Sequence, residues 1–163
     1  MSKLLSYPLS AVLSLTNNCN LNCLHCFNSS SKTYDTDDEY QRWKKIIPIL
    51  AEKRVFNVRY SGGEPLSVPW FQSIAEEVAS FKINSGLNTN ATYITSDIAK
   101  WIKKLPMRRD IIVGIDGLKN SHEELRGYGT YDRSIRGLQF LINEDLKTIM
   151  FCVITKLNYN EIS

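Results

Sequence analysis

No apolar run in the sequence is long enough to cross a membrane. The longest, around Ile46–Ala51 and Ile149–Ile154, fall far short of the roughly 18 residues that a span needs. A dominant charge is also lacking. Twenty Lys and Arg stand against 17 Asp and Glu, a net of +3 that is too slight to argue for nucleic acid or an anionic membrane surface. There is no low-complexity segment, no linker, and no repeat beyond a βα unit. Cysteines are few and are not spread as a secreted disulfide framework would spread them. What is present, 163 residues with three Trp, eight Tyr and six Phe and 43% hydrophobic in all, excludes a disordered chain. The length suits one soluble globular domain that buries roughly 70% of the surface of its unfolded chain.

The N-terminus bears a faint likeness to a signal peptide, with Lys3 followed by Leu4–Leu15. Pro8 and three serines (Ser6, Ser10 and Ser14) interrupt that run, and no small-x-small cleavage pattern follows. Ala11, Leu13 and Leu15 alternate instead as one face of a buried strand. A cytoplasmic protein is expected.

Short apolar runs alternate with helical stretches. Strands are expected at Ser10–Leu15, Val55–Tyr60, Ser85–Thr89, Asp110–Asp116 and Thr148–Thr155. Thr36-Asp37-Asp38-Glu39 has the form of a capping box opening a helix to about Arg54, which Pro48 should kink or split. A second helix begins with Pro69 in its first turn and runs to about Phe81, with Ile74, Val78 and Phe81 inward. A third is capped by Thr95 or Ser96 and contains Ile98, Trp101, Ile102 and Leu105. A fourth covers roughly Asp132–Asn143, burying Ile135, Leu138 and Leu141 or Ile142. Asn158 and Glu161 are spaced as the cap and third residue of a fifth helix. Such alternation implies an α/β fold with a parallel sheet. A closed eight-unit barrel takes about 30 residues per unit, so the expectation is a partial TIM-like (β/α) barrel of about five units, with the fifth strand near an uncovered edge.

Three of the four cysteines form Cys19-x3-Cys23-x2-Cys26 directly after the first strand. Three thiolates so spaced in one loop can converge on a polynuclear iron–sulfur cluster and leave one iron of a [4Fe–4S] centre open. The alternative is a structural zinc site with His25 as fourth ligand, an awkward position beside Cys26, and no second C-x2-C pair supports it. Ser61-Gly62-Gly63-Glu64-Pro65 follows the second strand. Its glycines permit close approach of a ligand and Glu64 can accept hydrogen bonds from an ammonium group, although a plain βα turn would read the same way. Asn88-Thr89-Asn90 and Asp116-Gly117 follow the third and fourth strands; singly, each reads as a strand terminator. In a parallel barrel, however, all these strand ends share the rim that carries the active site.

Through Cys19-x3-Cys23-x2-Cys26 and Ser61–Pro65 the chain resembles the radical S-adenosylmethionine (SAM) superfamily. Val113-Gly114-Ile115-Asp116-Gly117 and His122-Glu123-Glu124-Leu125-Arg126-Gly127 look like members with an auxiliary-cluster (SPASM or twitch) domain that modify peptides or proteins. The resemblance runs from about residue 8 to the end. It implies that Cys19, Cys23 and Cys26 hold a [4Fe–4S] cluster whose open iron takes the amino and carboxylate groups of S-adenosyl-L-methionine. It places His25 where an aromatic touches adenine, Gly62, Gly63 and Glu64 at the methionyl ammonium, and Arg126 near the methionyl carboxylate or an acidic substrate. Arg59 and Thr89 fall where some members contact substrate. Many members have a ribose-contacting serine where this chain has Gly114, so that contact would be lost or pass to Asp116. Cys152 reads as packing.

The implied activity is reductive cleavage of SAM to a 5′-deoxyadenosyl radical, with a peptide or protein as substrate and flavodoxin or ferredoxin as electron donor. The family core has six units, so residues 1–163 would be a core domain incomplete at its C-terminus. A non-catalytic cluster-binding fragment and a short glycyl-radical-enzyme activase are the other readings.

Overall fold

The computed structural model describes residues 6–30, 37–105 and 110–161. Along the chain it contains β1 (Ser10–Thr16), α1 (Asp37–Glu52), β2 (Asn57–Gly62), α2 (Phe71–Ser80), β3 (Asn84–Thr89), α3 (Ser96–Lys104), β4 (Ile111–Gly114), α4 (Lys119–Arg126), α5 (Thr130–Asn143) and β5 (Thr148–Phe151). Five parallel strands form one sheet in the order of the sequence, β1-β2-β3-β4-β5. This is the α/β arrangement that the alternation predicts. Among the described residues no helix is long and apolar enough to cross a membrane.

Strand side chains alternate between faces, and the register aligns them into rows. Leu13 pairs with Tyr60, Tyr60 with Leu87, and Leu87 with Ile111. That row is buried against Ile47, Ile74, Val78, Ile102 and Leu141 of the helices, forming the core. The opposite face carries Ser14 paired with Ser61, and Asn88 paired with Ile112, which pairs with Ile149. On that face Arg59 is held by Asp110 at 3.0 Å and by Asn88 at 3.1 Å.

Several sequence expectations change. The cap position Thr36 lies outside the described residues. α1 runs through Pro48 without splitting; the proline is exposed, so the carbonyl it leaves unpaired faces solvent. Pro69 precedes α2, whose cap is Trp70, and Phe81 is 43% exposed because the helix has already ended beside it. Ile142 is exposed and Leu141 takes the inward position. β5 stops at Phe151, because the Val153 amide is taken by Asp116 and its carbonyl by Asn158. Cys152 is therefore half-buried beyond the strand and not packed within it.

Two further differences bear on the site. The sequence reading did not separate α4 as a helix. Ser121, His122 and Leu125 are its buried stripe, and Gly127 ends it with φ +105. Among the described residues Asn158 is followed by a single 3₁₀ turn, Tyr159–Glu161. Its Oδ1 accepts from the Thr155 amide while its Nδ2 donates to the carbonyls of Asp116 and Val153. Glu161 reaches instead to α4, accepting from the Leu118 amide at 2.7 Å and the Ser121 hydroxyl at 2.6 Å. It thus serves orphan donors at a helix start whose own cap residue, Leu118, has no polar side chain.

Candidate functional site

The C-terminal ends of all five strands surround one cavity of about 240 Å3. Cys19, Cys23, His25 and Cys26 line it from the loop after β1, Gly62 and Gly63 from the turn after β2, and Thr89 and Asn90 from the end of β3. Gly114 and Arg126 close the far side, with Phe151 at the end of β5 and Val153 just beyond it.

Backbone contacts shape the cysteine loop. The Cys26 amide donates to the Cys23 carbonyl at 3.2 Å, and the Leu24 amide to Leu125 of α4 at 2.8 Å. Asn28 ties the loop to the glycine turn by donating to the Gly62 carbonyl at 2.9 Å. Two sulfurs receive backbone amides: Leu21 donates to Cys19 Sγ and Ser30 to Cys26 Sγ, each at 3.4 Å. Burial raises the Cys19 thiol and pushes Cys23 up to about 11, against the easing influence of Arg126 on Cys23. At Cys26 the amides of Ser30, Asn28 and Ser29 outweigh the effect of burial and hold the thiol below its ordinary range.

Three thiols facing one cavity, with amide donors already on two of the sulfurs, fit a cluster that needs several thiolates at once. Zinc fits poorly. His25 Nε2 is engaged at 3.0 Å by Asp116, which leaves only the buried Nδ1 without a hydrogen-bond partner among the described residues, on a ring whose place next to Cys26 suits tetrahedral closure poorly. Among the described residues no three His, Cys, Asp or Glu side chains gather around one ion-sized point. A polynuclear cluster does not require that, since each thiolate sits on its own metal atom.

The paired glycines are needed by the chain's own backbone. A Cβ on Gly62 would come within 2.3 Å of the Thr16 carbonyl oxygen, and one on Gly63 within 2.1 Å of that of Asn18. Gly63 and Glu64 donate their amides to these same two carbonyls. The glycines therefore clamp the entry to the cysteine loop against the end of β2 while keeping the cavity wall thin.

Glu64 departs from its expected place. Its side chain is fully buried and does not line the cavity. The carboxylate lies beneath the wall, accepting from the Leu66 amide at 3.1 Å, the Thr89 hydroxyl at 2.9 Å and the Asn90 amide at 2.8 Å. Burial pushes its carboxyl up to about 7, against those hydrogen bonds. In this arrangement Glu64 organises the end of β3 and offers no open face to a ligand.

Asp116 is likewise fully buried and does not line the cavity. Arg126 Nε and His25 Nε2 meet its Oδ2, and the Val153 amide donates to its Oδ1 at 2.9 Å. Burial would raise this carboxyl, but the Arg126 partner dominates and holds it below the usual carboxylate range. The Asp116 amide donates to His122 Nδ1 at 3.2 Å, and burial lowers His122 to about 4. Arg126 explains the glycine at position 114: a Cβ there would lie 2.4 Å from a guanidinium nitrogen. The missing side chain makes room for Arg126 at the cavity wall. Of the two residues expected near substrate, Arg59 is engaged by Asp110, and Thr89 by Glu64. Sequence reasoning missed Asn28 and the contacts made by His122 and Glu161. For Asn28 the available signal was the density of asparagine around the cysteines, at Asn17, Asn18, Asn20, Asn22 and Asn28.

A family model described as the Radical SAM superfamily matches residues 13–163. The sporulation killing factor maturation protein SkfB of Bacillus subtilis strain 168 is 27% identical over 157 residues, which cover 96% of this chain and 38% of SkfB. SuiB of Streptococcus suis bound to S-adenosylmethionine superposes with a TM-score of 0.81 at 24% identity, over 96% of this chain and 36% of SuiB. The same protein bound to its precursor peptide SuiA gives 0.82 at 23%, over 96% and 35%. The chain thus spans well under half the length of these relatives. At such identities the likeness to SuiB speaks for the fold.

Proposed function

Because the chain belongs to the radical SAM superfamily, whose cofactors are a [4Fe–4S] cluster and S-adenosyl-L-methionine, we propose that its cavity holds both and that residues 1–163 belong to the core domain of an enzyme that modifies a peptide or protein. One observation carries the reading: all three cysteines, the Gly62-Gly63 turn and Arg126 face the same cavity.

Cys19, Cys23 and Cys26 would hold the cluster, with the amides on Cys26 favouring the thiolate that ligation needs. When bound, the cofactor pair supplies reductive cleavage of the SAM sulfonium and a 5′-deoxyadenosyl radical that takes a hydrogen atom from substrate. The chain's own work is to bind and orient. Arg126, its Nε committed to Asp116, keeps its terminal nitrogens over Gly114 at the wall, where they suit the SAM carboxylate. His25 presents a flat ring, fixed by Asp116, for adenine. The thin wall at Gly62 and Gly63 lets the methionyl end approach main chain. A peptide or protein substrate is the class suggested by SkfB, a maturation protein, and by SuiB, solved with a precursor peptide. The electron comes from a carrier such as flavodoxin or ferredoxin.

Anaerobic reconstitution with iron and sulfide should load about four irons per chain. SAM added to the reduced protein should then alter its electron paramagnetic resonance spectrum. Stoichiometric zinc without sulfide, or a spectrum indifferent to SAM, would overturn the reading.

A further inference from the structure

Asn90 follows β3, lines the cavity and is only 7% exposed. Its main chain is pinned on both sides: the amide donates to Glu64 at 2.8 Å, and the carbonyl accepts from the Ser134 hydroxyl at 2.8 Å. The direction of its side chain is set as well. Oδ1 accepts from the Thr92 amide at 2.9 Å and from the Thr92 hydroxyl at 2.6 Å, so the oxygen end is fully spoken for. The nitrogen end must therefore point the other way. Nδ2 has two hydrogens and two neighbours: Asn20 Oδ1 at 3.0 Å and Cys19 Sγ at 3.9 Å, a length that the size of sulfur accommodates. Asn20 in turn donates to Thr92 Oγ1 at 2.8 Å, closing a ring of three polar side chains beside Cys19.

We infer that Asn90 sets the reduction potential of the centre held by Cys19, donating a side-chain N–H to the sulfur so that the added electron is better tolerated. The inference rests on the proposed cluster ligation. The physics is electrostatic: a donor proton beside a thiolate stabilises the more negative, reduced state, and hydrogen bonds to the sulfurs are among the levers that set such potentials. The amide donors on Cys26 are main chain, common to any sequence that adopts the turn. Cys19 also takes a main-chain amide, from Leu21 at 3.4 Å, and Asn90 adds a side-chain donor beside it, so this is a place where sequence can adjust the potential. Asn90 acts through Cys19 and is a positioning residue; it requires no contact with SAM or substrate.

The test uses the 163-residue chain, reconstituted anaerobically and titrated electrochemically with detection by electron paramagnetic resonance. Asn90→Leu, close in shape, removes the donor without placing a charge beside the cluster. At equal iron content its midpoint potential should fall below that of the wild type. Thr92→Val leaves Asn90 in place but removes the hydroxyl that aligns it, and should shift the midpoint the same way by less. Equal midpoints in the wild type and Asn90→Leu would overturn the inference; should Asn90→Leu load no iron, an unshifted Thr92→Val would do so. A wild-type chain that takes up zinc or no iron would remove the cluster reading itself, and this inference with it.

Discussion

The two walls of the cavity are built on different principles. The wall from β1 and β2 is a matter of backbone: amide-to-carbonyl and amide-to-sulfur contacts shape the cysteine loop, and two glycines let main chain pack against main chain. The wall from β4, α4 and the segment after β5 is a matter of charge. One carboxylate with no exposed surface, Asp116, gathers an arginine, a histidine and a main-chain amide from three separate segments. The first wall can present ligands and owes little to any single side chain other than those ligands. The second depends on one residue, because Arg126 and His25 would be left facing a void without it. Substituting the cysteines of the first wall should therefore abolish function with little loss of stability, and substituting Asp116 in the second should cost stability first.

The sharpest break is Cys23→Ala. It should eliminate nearly all of the roughly four irons that a [4Fe–4S] centre carries, while Cys152→Ala, half-buried and outside the cavity lining, should retain them. Iron and sulfide analysis of both variants decides this. If the thiols serve only as ligands, urea unfolding of the apoproteins should barely distinguish Cys23→Ala from the wild type.

Next in size is Asp116→Ala, which leaves a mostly buried guanidinium without its partner. Breaking such a pair costs about 3–5 kcal/mol, readable as a lower urea midpoint. A loss below about 1 kcal/mol would mean that the second wall does not depend on this carboxylate, and the contrast between the walls would fail.

Gly114→Ala probes the join between stability and binding. The new Cβ must displace the end of Arg126, a flexible group, so the stability cost should be about 1 kcal/mol or less. The response to SAM should weaken by roughly tenfold, the equivalent of about 1.4 kcal/mol, seen in a spectroscopic titration with SAM.

The smallest effects are in pH dependence, where two buried groups oppose each other. Glu64 titrates near 7 in the folded chain, above its ordinary 4.5. Across that window the unfolded chain holds fewer protons, so this group makes stability fall as pH rises, until its folded pKa is passed. His122 titrates near 4, below its ordinary 6.5, so here the unfolded chain holds more protons and stability rises with pH across 4 to 6.5. Glu64→Gln should therefore steepen the rise between pH 4.5 and 6.5, and His122→Gln should turn it toward a fall. Urea midpoints at half-unit intervals would show this; parallel profiles for wild type and both variants would contradict it.

The first wall was largely legible in the sequence, and the second was not. A spacing such as Cys19-x3-Cys23-x2-Cys26 is local, and a turn such as Gly62–Pro65 announces itself by residues that few other conformations require. Even there the reason for the glycines was hidden, since the carbonyls they accommodate, Thr16 and Asn18, lie more than 40 positions away along the chain. Glu64 was read as a ligand-facing residue because an isolated acidic side chain in a turn carries no mark of burial. The contact of Glu161 with Leu118 was hidden because three-residue spacing is the same whether the carboxylate turns back to its own cap or across to another helix start.

By itself, then, the sequence determined the elements that depend on neighbours close along the chain: the alternation of strands and helices, the inward faces of β1 and α3, the Thr95 cap and the cysteine loop. Short-range sterics and periodic burial dictate these, and both are written in consecutive residues. The tertiary structure alone decided which polar groups are sealed in and whom they meet. Asp116 finds His25 some 90 positions away, and Glu64 finds Asn90 across two strand ends, only because the parallel sheet brings every strand's C-terminal end to one rim. Once water is excluded there, each buried charge must take whatever partner the fold supplies, and no local pattern encodes that choice.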